Sequence, residues 1–405
     1  MQSDSYQKVK NTIHRRIVDE MSAEHQQDLD AGLSRKEVET IISGYVERAL
    51  EDNPLVIPRS ERKRLVTDIC DEMLGMGPIE PLLKDSTVTE VMVNGPKSIY
   101  VERMGKLQKT DAQFQDTAHL MTVVDKMVTP LGRHIDEASP LVDARLKDGS
   151  RVNIIIPPLA LNGPCITIRK FSQTPLSVEN LISFGTLSEE MAIFLRACIK
   201  AQLNIMVSGG TGSGKTTTLN VLSSFIPADE RIVTIEDAAE LRLEQPHTVS
   251  LEARPANIEG KGAVTIRDLV KNSLRMRPDR IVVGEVRGQE AIDMLQSAFN
   301  VGHSAMTTVH ANSVRNVVSR LETMVLMGME IPISAIRRQI VEGFDVMVHL
   351  GRCKNGRRAV MEVAEPMHIA DGEVCMNTVF KRNQQGELVK VGEFTEKTKS
   401  KLVRI

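Results

Sequence analysis

Apolar residues recur at helical spacing near the start of the chain and at strand spacing further on. Val38, Ile41, Ile42, Tyr45, Val46 and Leu50 follow i, i+3, i+4, i+7, one apolar stripe on an otherwise charged helix. A weaker stripe runs through Tyr6, Val9, Ile13 and Ile17. A third, with Leu65, Ile69 and Met73, ends at Gly75 before the Gly77-Pro78 breaker. Two or three short helices packed together account for these stripes, with a turn at Asp52, Asn53 and Pro54 closing the unit. From about residue 78 the period changes. VTEVMVNG alternates apolar and polar positions and ends in Asn94-Gly95, a strong hairpin signal, with SIYVER as its return strand and a second turn at Gly105-Lys106. Residues 117–128 read as a helix, and SRVNIIIP and CITIRKF as strands.

A polar, Pro-containing stretch at 171–177 reads as a linker. Beyond it, helix and strand patterns alternate: a helix at 188–201, the strand LNIMVS, a helix from Gly214, then RIVTIE, RIVVGE, SAMTTVH and FDVMVHL. Several of these strands are apolar nearly throughout, as parallel strands buried on both faces must be. The alternation predicts a doubly wound α/β sheet. The expected organisation is a helical region over 1–75, a small α+β domain over 76–172 and an α/β domain over 173–405. A chain of 405 residues suits two or three cores.

Composition narrows the function classes. Lys and Arg number 51 against 53 Asp and Glu, so bulk charge attracts neither nucleic acid nor anionic lipid. The five cysteines, Cys70, Cys165, Cys198, Cys353 and Cys375, are odd in number and scattered without a C-x-x-C pair, which fits reduced thiols and indicates neither a zinc knuckle nor a disulfide framework. The polar start MQSDSYQKVKNTIHRR lacks an apolar signal core, and runs such as IIIPPLAL fall far short of the ~20 residues a membrane span needs. The expectation is a cytoplasmic chain whose membrane contact goes through partners.

The sharpest chemical signal is GGTGSGKTT, made of Gly209, Gly210, Thr211, Gly212, Ser213, Gly214, Lys215, Thr216 and Thr217. It matches G-x-x-x-x-G-K-[ST], the phosphate-cradling loop. Glycines let backbone N–H groups converge on phosphate oxygens, and the helix that follows points its positive end at the anion. Lys215 has the reach for β- and γ-phosphates, and the Thr216 hydroxyl suits Mg²⁺. An apolar strand before the loop and a helical pattern after it supply the required context, so ATP binding is expected. Turnover needs more: a group to orient water and a completed metal shell. Glu285 ends the strand RIVVGE, and Glu236 and Asp237 end RIVTIE; in a parallel sheet these ends stand beside the loop. His303 and His310 flank the strand SAMTTVH. A histidine at a strand end is usually a surface residue, but Thr307, Thr308 and Asn312 around His310 make it a candidate for sensing the γ-phosphate or orienting water. In the smaller domain Arg133, Arg145, Arg151 and Arg169 are available to a triphosphate, although exposed arginine is most often solvated surface.

Four segments in order, GGTGSGKTT, TIEDAAEL, RMRPDRIVVGEVRG and GHSAMTTVHANS, resemble the Walker A, Asp, Walker B and His boxes of the type II/type IV secretion-system ATPases. The resemblance is strongest to the tight-adherence (CpaF or TadA-type) branch. It extends upstream through GPIEPLLKDSTVTEVMVNGPKSIYVER and downstream through RLETMVLMGMEIP, roughly residues 75–350. The resemblance implies a RecA-like P-loop NTPase domain hinged to the α+β domain, ATP and Mg²⁺ between them, and hexameric rings. Those rings dock, peripherally, on an inner-membrane platform to drive pilus assembly or secretion. By that likeness Glu285 is the catalytic Walker B glutamate, Glu236 and Asp237 assist metal and water, and Arg145, Arg151 and Arg169 reach the phosphates, with Arg133 the weaker candidate. Two departures stand out: Gly284-Glu285 replaces the Asp-Glu of many P-loop enzymes, and the tetracysteine zinc motif of pilus-extension members is absent. Two rival readings remain at this level. A nucleic-acid motor on the same core is opposed by the absence of Trp, only three Tyr and near-zero net charge. A regulatory module that binds ATP without hydrolysing it is opposed by the intact Glu285, Asp237 and His310 set.

Overall fold

A computed structural model describes residues 35–51, 59–103, 105–171, 176–254, 256, 261–298, 303–353 and 356–403, together with residues 6, 10, 12–14 and 16–17 near the amino end. The turn expected at 52–54, Val9 of the second stripe and linker residues 172–175 lie outside these. The chain divides into two compact units, Met1–Gln173 and Thr174–Ile405.

In the first unit the helical stripes become the contact surface. Ile42, Tyr45, Val46 and Ala49 of α1 (Arg35–Glu51) cluster with Leu65, Ile69 and Cys70 of α2 (Arg59–Leu74) and with Ile13 and Ile17. Glu72, near the end of α2, is buried between Lys10 Nζ at 2.6 Å and His119 Nε2 at 2.8 Å. Burial alone would push the Glu72 carboxyl up; the hydrogen bond to His119 and the Lys10 charge reverse this and bring it down to about 2. His119 belongs to α3 (Thr117–Val128), whose Leu120, Val123, Val124 and Met127 cover one face of an antiparallel sheet. Its strands are β1 (Val88–Asn94), β2 (Ile99–Arg103), β3 (Lys106–Lys109), β4 (Leu141–Arg145), β5 (Arg151–Ile155) and β6 (Cys165–Arg169), in the order β3-β2-β1-β6-β5-β4. Alternate residues Val91, Val93, Val152, Ile154, Ile166 and Ile168 face that core, the half-buried pattern of an antiparallel sheet.

The second unit is built on a nine-stranded sheet of β7 (Ile205–Gly209), β8 (Ile232–Glu236), β9 (Thr248–Glu252), β10 (Arg280–Val286), β11 (Ser304–His310), β12 (Val346–Arg352), β13 (Arg358–Ala370), β14 (Glu373–Arg382) and β15 (Leu388–Lys390). The order is β15-β14-β13-β12-β7-β11-β10-β8-β9. The six strands from β12 to β9 run parallel, and β13 to β15 add an antiparallel edge. Successive side chains go to opposite cores. Ile205, Val207, Val282, Met306 and Val348 meet α4 (Glu189–Lys200) and α5 (Lys215–Ser223) on one face. Met206, Ile281, Val283, Ala305 and Met347 meet α6 (Glu290–Ala298), α7 (Val314–Gly328) and α8 (Ile333–Gly343) on the other. The doubly wound α/β arrangement expected from the apolar strands is therefore present, with all six parallel strands ending on one edge. At the opposite edge the fully buried Arg280 pairs with Glu230, donates to Ser304 Oγ at 2.7 Å and bonds the Ile199 carbonyl.

Candidate active site

The site forms where β7, β11, β10 and β8 end. Gly209, the last residue of β7, stands in register with His310 of β11 on one side and Leu350 of β12 on the other. No side chain fits at Gly209, because a Cβ would lie 2.6 Å from the Leu350 carbonyl oxygen and would also collide with Ser213 Oγ. The loop then turns through Gly212 and Gly214, and α5 begins at Lys215. Lys215 is buried; its ammonium donates to the Gly210 carbonyl at 3.1 Å and lies 3.2 Å from His310 Nε2. An ammonium has only protons to give, so the His310 nitrogen accepts and the ring is neutral in this arrangement. Burial first, then the Lys215 charge, pushes the His310 imidazole below its ordinary value, against the pull of Glu285.

Glu285 owes its position to an irregularity in β10. Between Val283 and Val286 the register with β11 shifts by one residue, a bulge that re-aims the side chain. Thr308 Oγ1 donates to the Gly284 carbonyl at 2.7 Å and fixes the distortion. Residue 284 can only be glycine while Glu236 keeps its place, since a Cβ there would lie 2.9 Å from Glu236 Cγ. This is the physical reason for Gly-Glu in place of Asp-Glu. Glu285 Oε2 accepts from Arg287 Nη2 at 2.7 Å, and Arg287 Nη1 is 3.5 Å from Asp237 Oδ2. The hydrogen bond to Glu285, with the charges of Glu285 and Asp237, raises the Arg287 guanidinium further. Glu285 Oε1 lies 3.3 Å from His310 Nε2, but that nitrogen's lone pair is directed to Lys215. That oxygen is buried and has no hydrogen-bond partner among the described residues. A buried acceptor left open beside the glycine loop and the buried Lys215 fits a site that receives a polyphosphate and the water attacking it.

The structure thus brings Lys215, His310, Glu285 and Asp237 together and adds Arg287, which the sequence reading missed although it lies two residues past Glu285. Glu236 is placed differently: it is buried, and its carboxylate accepts the backbone N–H groups of Glu240 at 2.8 Å and Leu241 at 3.0 Å, so it shapes the turn that carries Asp237. His303 is not in the group. It precedes β11, whose first residue, Ser304, pairs with Arg280 at the amino edge of the sheet, roughly 20 Å from His310 at the strand rise. Thr216 and Thr217, half-buried, follow Lys215 on α5, and Thr211 is exposed on the loop. In the first unit, Arg145 faces Arg151 across β4–β5, and Arg151 faces Arg169 across β5–β6, so the three form one row; Arg133 lies outside it, in the connection after α3.

A nine-stranded, mainly parallel sheet with a phosphate loop on its central strand and carboxylates at the neighbouring strand ends defines a RecA-like P-loop ATPase. The chain belongs to the type II/IV secretion system protein family, whose profile matches residues 72–403, and it is an ATP-hydrolysing enzyme. A Mycobacterium tuberculosis protein named for conjugal transfer is 38% identical over 316 residues, 76% of this chain and 89% of that protein. The type IV secretion system protein VirB11 of Brucella suis is 33% identical over 301 residues, 67% of this chain and 83% of that protein. The pilus retraction motor PilT with bound ADP shares the fold, with a TM-score of 0.51 and 17% identity over 80% of this chain and 85% of that one. No helix among the described residues is long and apolar enough to cross a membrane.

Proposed function

We propose that this ATPase is the motor of a tight-adherence-type pilus or secretion machine, working as a hexameric ring docked in the cytoplasm on an inner-membrane platform protein. The observation that carries a motor reading is the interlocked set Lys215–His310–Glu285–Arg287–Asp237. Lys215 and His310 hold each other at 3.2 Å, so a γ-phosphate that draws Lys215 away also frees the His310 nitrogen beside the open Glu285 oxygen. Glu285 then orients the attacking water, and His310 reads the terminal phosphate. Thr216 is the residue that would hold Mg²⁺ by its hydroxyl, with Asp237 assisting; the ion would supply neutralisation of phosphate charge. The row Arg145, Arg151 and Arg169 supplies guanidinium groups to the phosphates on domain closure, which would tie nucleotide state to domain position. The tight-adherence assignment rests on the four ordered boxes and the absent tetracysteine motif. The name of the mycobacterial relative keeps conjugal transfer as the second reading. The deciding experiment is co-purification from the native host together with steady-state phosphate release. A polytopic inner-membrane platform protein in the complex supports this reading; DNA-processing proteins, with salt-sensitive stimulation by DNA, replace it.

A further inference from the structure

The phosphate loop has two flanks, and only one carries the chemistry described so far. On the β11 side stand His310, Glu285 and Arg287. On the other side β12 runs two residues past the Gly209 register position, and Arg352 ends it directly opposite Arg358, the first residue of β13. Strand alternation puts Arg352 on the side of Leu350, and Arg358 on the side of Val360; both apolar residues belong to the core shared with α5. Both guanidinium groups therefore rise on the face from which α5 springs. Arg352 Nη2 donates to the Gly212 carbonyl at 3.3 Å, and a Cβ built on Gly212 would lie 2.6 Å from it. A Cβ on Gly214 would lie 3.6 Å from Arg358 Cδ. The two side chains are exposed, and neither forms an ion pair among the described residues. Their neighbour Arg357 turns elsewhere, its guanidinium against Gly185.

Two like charges directly opposed on an antiparallel pair destabilise it unless an anion stands between them. The anion available at this loop is the nucleotide. Its γ-phosphate belongs on the Glu285 side, so the chain of phosphates leaves the loop toward the opposite flank. We propose that Arg352 and Arg358 form a second phosphate clamp, which grips the α- and β-phosphates of ATP and ADP from the flank away from Glu285. Because these contacts persist after the γ-phosphate is gone, the clamp sets how tightly ADP is retained. The inference rests on nucleotide binding at the loop and not on the secretion partner.

The test uses the full chain, with ADP as the probe. Arg352→Gln, Arg358→Gln and the double variant are compared with wild type by calorimetry and by thermal melting with and without ADP. The clamp predicts that each single variant loses about tenfold in ADP affinity, and the double variant more, as loss of a charge-assisted bond requires. It also predicts an ATP KM that rises by more than kcat falls, and partial rescue by Arg358→Lys, which keeps the charge but not the fork. Removing one of two opposed charges leaves the nucleotide-free melting temperature unchanged or higher, while the ADP-induced rise shrinks. A purely structural role gives the reverse, a lower nucleotide-free melting temperature with the ADP-induced rise intact, and overturns the proposal. So does ADP affinity within twofold of wild type in Arg358→Gln, whose side chain makes no bond to the loop and whose loss leaves the loop's own hydrogen bonds intact. If wild type itself fails to bind ADP, the loop assignment falls instead.

Discussion

The two sheets present charge at their working edges in different ways. In the second unit, unlike groups at the strand ends interlock: the Lys215 ammonium with the neutral His310 ring, and Arg287 bridging the carboxylates of Glu285 and Asp237. In the first, Arg145, Arg151 and Arg169 repeat one charge along a line across three strands, with Glu90 next in register and 3.9 Å from Arg169 Nε. The first arrangement is a set of parts that hold one another in place. The second is a surface whose repeated charge matches a repeated anion. On the reading proposed above, the chemistry falls to the second unit and the arginine row of the first supplies phosphate contacts.

The contrast breaks most completely at the loop. Lys215→Ala is expected to abolish nucleotide binding in calorimetry, and Glu285→Gln to leave binding but lower turnover by about 10²- to 10⁴-fold. Phosphate release from Glu285→Gln at the wild-type rate would remove Glu285 from the catalytic role. Next in size, Arg151→Gln should lower kcat by about 10²-fold while the isolated ADP affinity changes little, if the row acts on transition-state charge. An equal loss in ADP binding would show that it acts in the ground state. The two histidines sharpen the assignment further. His310→Ala should cost roughly 10- to 100-fold in kcat, the worth of one charge-assisted hydrogen bond, and His303→Ala under about twofold. Comparable losses would mean that the amino edge of β11 takes part in turnover. Smallest is the acid response of the first unit. The Glu72 carboxyl is held below its ordinary 4.5 at about 2, so its contribution is present above 4.5 and fades as pH falls from there toward 2. Urea midpoints measured down that range should decline in wild type and less steeply in Glu72→Gln.

Much of this was readable in advance, for a physical reason. Parallel strands buried on both faces are apolar without interruption, so RIVTIE, RIVVGE and SAMTTVH announce themselves, and their ends place Glu285 and His310. The edge strand β9 did not, because its TVSLE is half-exposed and short. The antiparallel additions β13 to β15 escaped for a related reason: burial along β13 and β14 comes in runs without regular alternation, and their pairing register shifts, so no clean period survives. At the site, sequence equates carboxylates that the fold separates. Glu236 and Asp237 are adjacent, but alternation sends one inward to backbone N–H groups and leaves the other 61% exposed beside Arg287. His303 and His310 look equivalent until the strand's length is counted, and Arg287 is a partner only because a bulge turns Glu285.

The notch at Gly284 has an evolutionary reading. Its Cα lies so close to the Glu236 side chain that a methyl group added there would sit 2.9 Å from Glu236 Cγ. The two positions are therefore coupled: a side chain at 284 requires the Glu236 side chain to shift or to be shortened. A shorter residue at 236 opens the space that the Asp-Glu form of other P-loop enzymes needs at 284.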